Sequence, residues 1–313
     1  MHCYFAPMEG LTDSIYRRLH HKYFPGNVEK YYMPFISPTV HRRLTQKEAR
    51  ELPMADSVPF PAVPQVLTKV PEDFLWAAEM ARDRGYQEIN LNIGCPSGTV
   101  VSKGKGAGML NDPDHLDDFL GEILERSPLP VSIKTRIGMD DPEELEDLMT
   151  VFNRHRFLEL TVHPRVRNDF YRHPVRMEAF AYALERSENP VCYNGNLNTK
   201  AEIEAFQEKF PQVQAVMLGR GLIGDPGMLT GTDPKVLEAF SDELLAVYTE
   251  VFGSPRNAMF RLKENWRYLI CHFGNSEKLW KKLRKSTDVA EYQALTHEIF
   301  ATLPFLPFLS ADW

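Results

Sequence analysis

The 313-residue sequence lacks the features that mark exported, membrane-spanning and disulfide-rich proteins. Its four cysteines lie far apart, with no Cys-x-x-Cys pair and no histidine at zinc-ligand spacing, so neither a disulfide framework nor a structural zinc is expected. No stretch approaches the ~18 uninterrupted apolar residues of a membrane helix, and Glu9 and Asp13 interrupt any signal-peptide core. We therefore expect a cytoplasmic protein that binds no metal and no membrane.

An excess of positive charge over the whole chain is also absent, because 36 Lys and Arg stand against 43 Asp and Glu, a net charge of −7. One segment departs from this average. Between Ser254 and Lys285 there are nine basic and two acidic residues, a net charge of +7, whereas the other residues hold 27 basic and 41 acidic groups. A basic cluster of this kind is typical of a surface that binds a polyanion, and a solvated helix face is the alternative.

Short apolar runs bounded by turn residues recur along the chain and predict β-strands. Segments with helical spacing lie between most of them, and runs that are apolar on both faces are typical of a parallel sheet covered by helices. Strand and helix alternate about eight times in the first ~230 residues, which predicts an α/β fold, a closed (β/α)8 TIM barrel over residues 1–233. The eight predicted strands are Cys3 to Met8, Lys30 to Ile36, Pro61 to Leu67, Glu88 to Gly94, Pro130 to Ile137, Phe157 to Pro164, Pro190 to Gly195 and Ala215 to Gly221.

After Asp233 the strand pattern stops, and residues 234–313 predict a small all-helical C-terminal domain. The basic segment falls inside this domain, interleaved with aromatic residues. For two of these, Trp266 and Trp280, core packing is a better interpretation than base stacking.

In a parallel barrel, functional groups lie at the carboxyl ends of the strands. The residues at these predicted strand ends are polar or small. A strand end with a purely structural role does not require polar residues, because a buried polar group has to find a partner. They are Pro7, Met8, Gln65, Asn92, Cys95, Lys134, Arg136, His163, Asn194, Gly195, Gly219, Arg220 and Gly221. The last two strand ends are glycine-rich, as expected where a barrel binds a phosphate.

Cys95 opens a glycine-rich loop at the end of the fourth predicted strand, in the sequence LNIGCPSGTVVSKGKGAG. A buried structural thiol is the alternative, but this position suits a thiol that donates or accepts a proton. Two lysines of the loop, Lys103 and Lys105, either face a polyanion or are solvated.

Six motifs occur in one order along the chain: APMEGLTD, LNIGCP, KTRIG, VHPR, NGN and GRG. Together they resemble the tRNA-dihydrouridine synthases, and the resemblance covers essentially the whole chain. It implies an enzyme that uses FMN and NADPH to reduce the C5=C6 bond of uridine in tRNA, with no obligatory protein partner. Hydride would pass from flavin N5 to C6, and the Cys95 thiol would give a proton to C5.

The resemblance also implies roles for individual residues. FMN would be surrounded by Pro7, Met8, Gln65, Lys134, His163, Asn194, Gly195, Asn196, Gly219 and Arg220. Asn92, Arg136 and Tyr171 would contact the uracil. Independently of the resemblance, local positive charge predicts contacts with the tRNA for Lys103, Lys105, Lys281, Lys282, Arg284 and Lys285. Lys134 would stabilise the anionic reduced flavin, and the uracil would have to be flipped out of the folded tRNA.

Two departures from the family pattern occur. The usual His-Gly-Arg is His163-Pro164-Arg165, and the usual Asn-Gly-Asp or Asn-Gly-Glu ends in Asn196. The first stiffens the backbone beside the cofactor, and the second removes a carboxylate near the flavin phosphate.

Two other functions remain open from the sequence. One is an FMN barrel of the dihydroorotate-dehydrogenase type that acts on a free pyrimidine, for which a helical C-terminal domain is not needed. The other is a non-catalytic RNA-binding protein on the same scaffold. The sequence does not indicate which uridine is reduced.

Overall fold

The computed structural model describes residues 1–26 and 28–308, which form two compact units. The first unit comprises residues 1–7, 29–195 and 210–217, and the second comprises the described residues of 8–28, 196–209 and 218–308. The predicted division into 1–233 and 234–313 stays a prediction, and residues 309–313 of that division lie outside the described residues. No helix of the described ranges is long and apolar enough to cross a membrane.

The strands pair in parallel in one sheet, and every predicted strand position contains a strand. They are β1 (His2–Phe5), β2 (Lys30–Tyr32), β3 (Ala62–Val63), β4 (Gln65–Val66), β5 (Ile89–Ile93), β6 (Val131–Arg136), β7 (Leu160–His163), β8 (Val191–Tyr193) and β9 (Ala215–Leu218). Their order in the sheet is β3-β2-β1-β9-β8-β7-β6-β5-β4. The prediction of a TIM barrel is confirmed.

The third predicted strand is split into β3 and β4 by Pro64, which has no backbone N–H to give to the ladder. β3 pairs with β2 on one side, and β4 pairs with β5 on the other. Since β3 and β4 are consecutive in the chain, this segment closes the sheet into a barrel.

The α-helices alternate with these strands and then continue alone to the end of the described chain. They are α1 (Ser14–Tyr23), α2 (Gln46–Glu51), α3 (Pro71–Asp83), α4 (Gly98–Val101), α5 (Pro113–Arg126), α6 (Leu145–Asn153), α7 (Met177–Arg186), α8 (Lys200–Lys209), α9 (Arg220–Gly224), α10 (Pro234–Phe252), α11 (Pro255–Leu269), α12 (Glu277–Lys285) and α13 (Val289–Thr302). In the first unit α3, α5, α6 and α7 pack side by side in chain order. In the second unit α10 packs against α1 and α11, and α12 packs against α13. The helical C-terminal region is confirmed.

The barrel interior is apolar on one side and polar on the other. The apolar side is a cluster of Tyr4, Ala6, Tyr32, Val63, Cys192, Ala215 and Met217. The polar side is formed by buried polar residues from β4 to β7, and these reach the carboxyl ends of the strands, where the predicted site lies. Buried polar groups cost free energy unless they are hydrogen-bonded, so this side depends on its hydrogen-bond pattern.

In the second unit, the Asp13 carboxylate is hydrogen-bonded to residues of three helices. Its carboxylate accepts hydrogen bonds from the Tyr16 backbone N–H of α1 at 3.1 Å, from the Tyr248 hydroxyl of α10 at 2.7 Å and from the Arg261 guanidinium of α11 at 2.6 Å. One of the nine basic residues of the 254–285 segment is therefore used in the interior of its unit. Trp266 is fully buried, which confirms that it packs in the core.

Candidate active site

Strand register brings several predicted site residues together at the mouth of the barrel in the first unit. Neighbouring strands pair them in three successive layers: Gln65, Asn90 and Ser132; Asn92, Lys134 and Thr161; Arg136 and His163. The polar residues predicted from strand ends thus form one continuous surface across β4 to β7.

The backbone beside Cys95 is held by the side chain of Asn92, at the end of β5. The Asn92 Oδ1 accepts from the Gly94 N–H at 3.1 Å and from the Cys95 N–H at 3.0 Å. Cys95 itself is partly exposed, and its thiol is free. Cys95 therefore lies at the barrel mouth on a turn whose backbone is held by the Asn92 side chain. A fixed backbone of this kind would suit the predicted proton donor.

The loop after Cys95 folds back on it, and Gly106 allows the close approach. The Cys95 carbonyl accepts from the Ala107 N–H at 3.1 Å. Gly106 has φ +57°, and a Cβ there would lie 2.9 Å from Val100 Cγ1 and 3.0 Å from the Cys95 Cβ. A glycine at position 106 is thus explained by its close packing against Cys95.

Lys134 lies in the middle layer of these residues. The side chain is half-buried, and no hydrogen bond or ion pair joins it to any residue of 1–26 or 28–308. Desolvation by burial, and next the charge of Arg136, lowers the pKa of Lys134 to about 8. A desolvated cation without a counter-ion is a fitting partner for an anionic group that enters the barrel mouth.

Arg136, predicted to contact the uracil, is 1% exposed. Its Nε donates to the Gly94 carbonyl at 3.0 Å, its Nη1 to Val166 at 2.9 Å and its Nη2 to Phe170 at 3.0 Å. In this geometry Arg136 connects the turn before Cys95 to the loop after β7. A contact with uracil stays a prediction.

The loop after β7 places an exposed aromatic ring above buried groups. Tyr171 is 48% exposed, and its ring centroid lies 5.8 Å from the His163 ring and 5.5 Å from the Arg136 guanidinium carbon. The Arg165 Nη1 lies 3.0 Å from the His163 Nε2. Since a guanidinium can only donate, the His163 Nε2 accepts, and the neutral ring carries its proton on Nδ1. The sequence alone did not specify this tautomer.

The end of β8 belongs to the same unit. The Asn194 Nδ2 donates to the Met217 carbonyl at 2.7 Å. A Cβ on Gly195 would lie 2.9 Å from both the Tyr193 hydroxyl and the Val175 Cγ1, so packing alone requires a glycine there. Pro7, beyond the end of β1, is half-buried. A role of these residues in cofactor binding stays a prediction.

Four predicted cofactor residues belong to the second unit. The Met8 carbonyl accepts from the Leu11 and Thr12 N–H groups, and Gly219 precedes the short helix α9. The Arg220 Nη2 donates to the Asn196 Oδ1 at 2.8 Å, where Asn196 has φ +37°. The asparagine that departs from the family pattern therefore supplies a neutral acceptor to Arg220 in place of a carboxylate. Their cofactor contacts stay a prediction.

The predicted RNA-contacting residues are mostly solvent-exposed. Lys103 is exposed, whereas the half-buried Lys105 donates from Nζ to the Ser37 Oγ at 3.3 Å. In the second unit, α12 buries Leu279 and Leu283 and exposes its basic residues. The exposed basic residues of this helix are Lys278, Lys281, Lys282, Arg284 and Lys285. This is an amphipathic helix with a cationic outer face.

Two groups of residues at the site had no clear signal in the sequence. Arg165 was noted only as part of a motif, yet it is 1% exposed and sets the His163 tautomer. Glu88, Asn90 and Ser132 belong to runs that predicted strands, but side-chain contacts across neighbouring strands cannot be assigned before the register is known. In the described ranges no group of three or more His, Cys, Asp or Glu side chains could hold a metal ion.

Comparison with known proteins assigns the chain to a family. The sequence model of the dihydrouridine synthase (Dus) family matches residues 4–296. The chain belongs to the dihydrouridine synthase family. The resemblance inferred from the six motifs is thereby confirmed. This dihydrouridine synthase is therefore a tRNA-modifying enzyme.

Curated relatives of this dihydrouridine synthase match over most of its length. The probable tRNA-dihydrouridine synthase 1 of Synechocystis sp. is 28% identical, over 95% of this chain and 86% of the relative. The tRNA-dihydrouridine(16) synthase of Pseudomonas putida is 28% identical, over 93% of this chain and 94% of the relative.

Solved structures similar to this dihydrouridine synthase include one dehydrogenase and one reductase, both of low sequence identity. Histamine dehydrogenase from Rhizobium sp. 4-9 matches 75% of this chain and 45% of that chain, with a TM-score of 0.53 and 11% identity. A mutant of morphinone reductase in complex with tetrahydroNAD matches 75% of this chain and 89% of that chain, with a TM-score of 0.51 and 10% identity. At such identities the likeness shows a shared fold alone.

Proposed function

We propose that this dihydrouridine synthase uses FMN and NADPH to reduce the C5=C6 bond of specific uridines in tRNA. The observation that supports a flavin is the ammonium group of Lys134 at the mouth of the barrel, which has no hydrogen-bond or ion-pair partner among the described residues. FMN would bring an anionic phosphate and, when reduced, an anionic ring, and either would give this half-buried cation a counter-charge. The donor set therefore fits this cofactor.

The residues that would hold FMN are those predicted from the strand ends. Of these, Lys134, His163 and Asn194 lie in the first unit, as does the fully buried Gln65. The chemistry that bound, reduced FMN would supply there is a hydride for C6 of the uracil. Lys134 then acts as a fixed cation that favours the reduced, negatively charged state.

The Cys95 thiol would hold the proton that C5 receives. Conjugation with the C4 carbonyl sends the charge that develops on hydride addition toward C5 and O4, so an acid has to reach C5. The Asn92 contacts fix the backbone that carries this thiol. The resulting thiolate regains its proton from solvent, which completes the addition of one hydride and one proton.

Activity on RNA provides the direct test of this function. Purified protein should carry the visible absorption of a flavin, and with NADPH it should form dihydrouridine in tRNA isolated from cells that lack it. Mapping dihydrouridine in RNA from such cells would identify the positions. Reduction of free uridine at the same rate as tRNA would favour a free-pyrimidine enzyme, and a colourless protein that binds RNA without turnover would contradict the proposal.

We propose that the cationic face of α12 binds the phosphate backbone of the tRNA. Neutral replacement of four of its exposed residues should weaken tRNA binding and lower the slope of log Kd against log salt by up to about 3.6, since each lost phosphate contact removes about 0.9. Reduction of the flavin by NADPH should not change. The four residues are Lys281, Lys282, Arg284 and Lys285.

A control variant separates local contact from total charge, since it removes as many positive charges from exposed positions elsewhere. The control positions are Arg186, Lys200, Lys209 and Lys235. The control should leave the salt slope nearly unchanged. Equal slopes in the two variants would assign RNA binding to another surface.

A further inference from the structure

A continuous chain of side-chain hydrogen bonds runs down the polar side of the barrel from the Cys95 turn. Asn92, whose Oδ1 accepts from the Gly94 and Cys95 N–H groups, donates from Nδ2 to the Gln65 Oε1 at 2.8 Å. The Gln65 Nε2 in turn donates to the Asn90 Oδ1 at 2.8 Å. The backbone at the cysteine is thus connected to two amides in the layers below it.

The chain continues from these amides to a carboxylate just before β5. The Asn90 Nδ2 donates to the Ser132 Oγ at 2.8 Å, and the Ser132 hydroxyl donates to the Glu88 Oε1 at 2.6 Å. The Tyr32 hydroxyl donates to the same oxygen at 3.2 Å, and the Lys30 Nζ donates to the Glu88 Oε2 at 2.6 Å. The Glu88 carboxylate is the last acceptor of the chain, and it accepts hydrogen bonds from Ser132, Tyr32 and Lys30.

The two ends of this chain fix the direction of every link. The backbone N–H groups of Gly94 and Cys95 can only donate, so Asn92 has to present its oxygen to them. A carboxylate can only accept, so the Ser132 hydroxyl has to donate to Glu88 and can then accept from Asn90. Each amide between the ends has one allowed orientation.

Water does not offer a substitute partner inside the barrel. Gln65, Asn90 and Ser132 are 0% exposed, and Glu88 is 7% exposed. A group in this chain that loses its partner is therefore left unsatisfied in a buried place. Breaking one link should disturb the next one.

We propose that Glu88 is a positioning residue for the Cys95 turn and acts through Ser132, Asn90, Gln65 and Asn92. Its carboxylate sets the orientation of the chain and so keeps the Asn92 oxygen under the cysteine backbone. The effect on turnover rests on the proposed function of Cys95, whereas the effect on the turn does not. Glu88→Gln would place an NH2 group against either Lys30 or Ser132, and both of these donate.

The test compares the removal of two hydroxyls that donate to the same Glu88 oxygen. Ser132→Ala breaks the chain toward Cys95, whereas Tyr32→Phe removes the other donor and leaves the chain complete. Hydrogen exchange of the full-length protein reports on the turn directly. Exchange of the Gly94 and Cys95 amides should rise about tenfold in Ser132→Ala and stay within about twofold in Tyr32→Phe.

Steady-state and half-reaction kinetics provide the second measurement. In Ser132→Ala we expect kcat for tRNA to fall about tenfold, with KM for tRNA and flavin reduction by NADPH unchanged. Ser132→Thr keeps the hydroxyl and should restore both the protection of the turn and kcat. A general loss of stability would instead affect Tyr32→Phe as well.

Equal exchange at the cysteine turn in the two variants, or no change in either, would overturn the proposal. Increased exchange in Ser132→Ala with unchanged kcat would overturn the part that concerns turnover. If the wild-type protein forms no dihydrouridine, the proposed function fails, but the exchange pattern still decides whether the hydrogen-bond chain that ends at Glu88 positions the turn.

Discussion

Replacement of Cys95 by alanine is expected to lower dihydrouridine formation at least about 100-fold, because an acid in contact with the reacting carbon contributes factors of this size. Bound FMN, its reduction by NADPH and tRNA affinity should all persist, since none of them uses the thiol. Cys95→Ser should keep more activity than the alanine variant, because a hydroxyl can still pass on a proton, though less readily. Single-turnover oxidation of the reduced enzyme by tRNA measures the step directly.

Cys271 supplies the matched control for this experiment. It is also a free, partly exposed cysteine, but it lies in the second unit after α11. Cys271→Ala should turn over tRNA at the wild-type rate. A Cys95→Ala variant that turns over equally fast would remove Cys95 from the mechanism.

Replacement of Lys134 by methionine is expected to weaken FMN binding ten- to a hundredfold, since one charge-assisted contact is worth about 1.5–3 kcal/mol. The pH dependence gives a sharper signature. In the protein without cofactor the pKa of Lys134 is lowered to about 8, so the amino group is increasingly neutral above that pH. A bound anion favours the charged form, so wild-type affinity should be highest below pH 8 and fall above it.

Titration calorimetry with FMN from pH 6 to about 10 checks both parts of this prediction. Lys134→Met should show a flat profile over this range. Lys235→Met, at an exposed position at the start of α10, should follow the wild-type curve. A wild-type affinity that does not change above pH 8 would separate Lys134 from the flavin.

The fold was largely predictable because its signals are local. Apolar runs, turn residues and helix starts depend on neighbours in the sequence, and all eight predicted strand positions contain strands. The short helix α2 was not predicted, since it lies in a polar stretch without a long apolar stripe. The split of the third strand was also missed, although Pro64 is a known ladder breaker.

The site was predictable only as a set of residues at strand ends. Which partner each side chain takes depends on register and on the path of the loops, and neither is encoded locally. Arg136 illustrates this limit, because its three backbone acceptors come from two different loops. The hydrogen-bond chain from Glu88 to Asn92 could not be predicted from the sequence for the same reason, because its links join residues on different strands among β4, β5 and β6.

The division of the barrel interior into an apolar and a polar side has a consequence for how the sequence can vary. On the apolar side one aliphatic residue can replace another of similar volume at little cost. On the polar side, exchange of one donor for an acceptor leaves both of its neighbours mismatched, so viable changes there have to come in coordinated sets. Random mutagenesis should therefore recover single neutral variants around Val63 and Met217 and hardly any around Asn90.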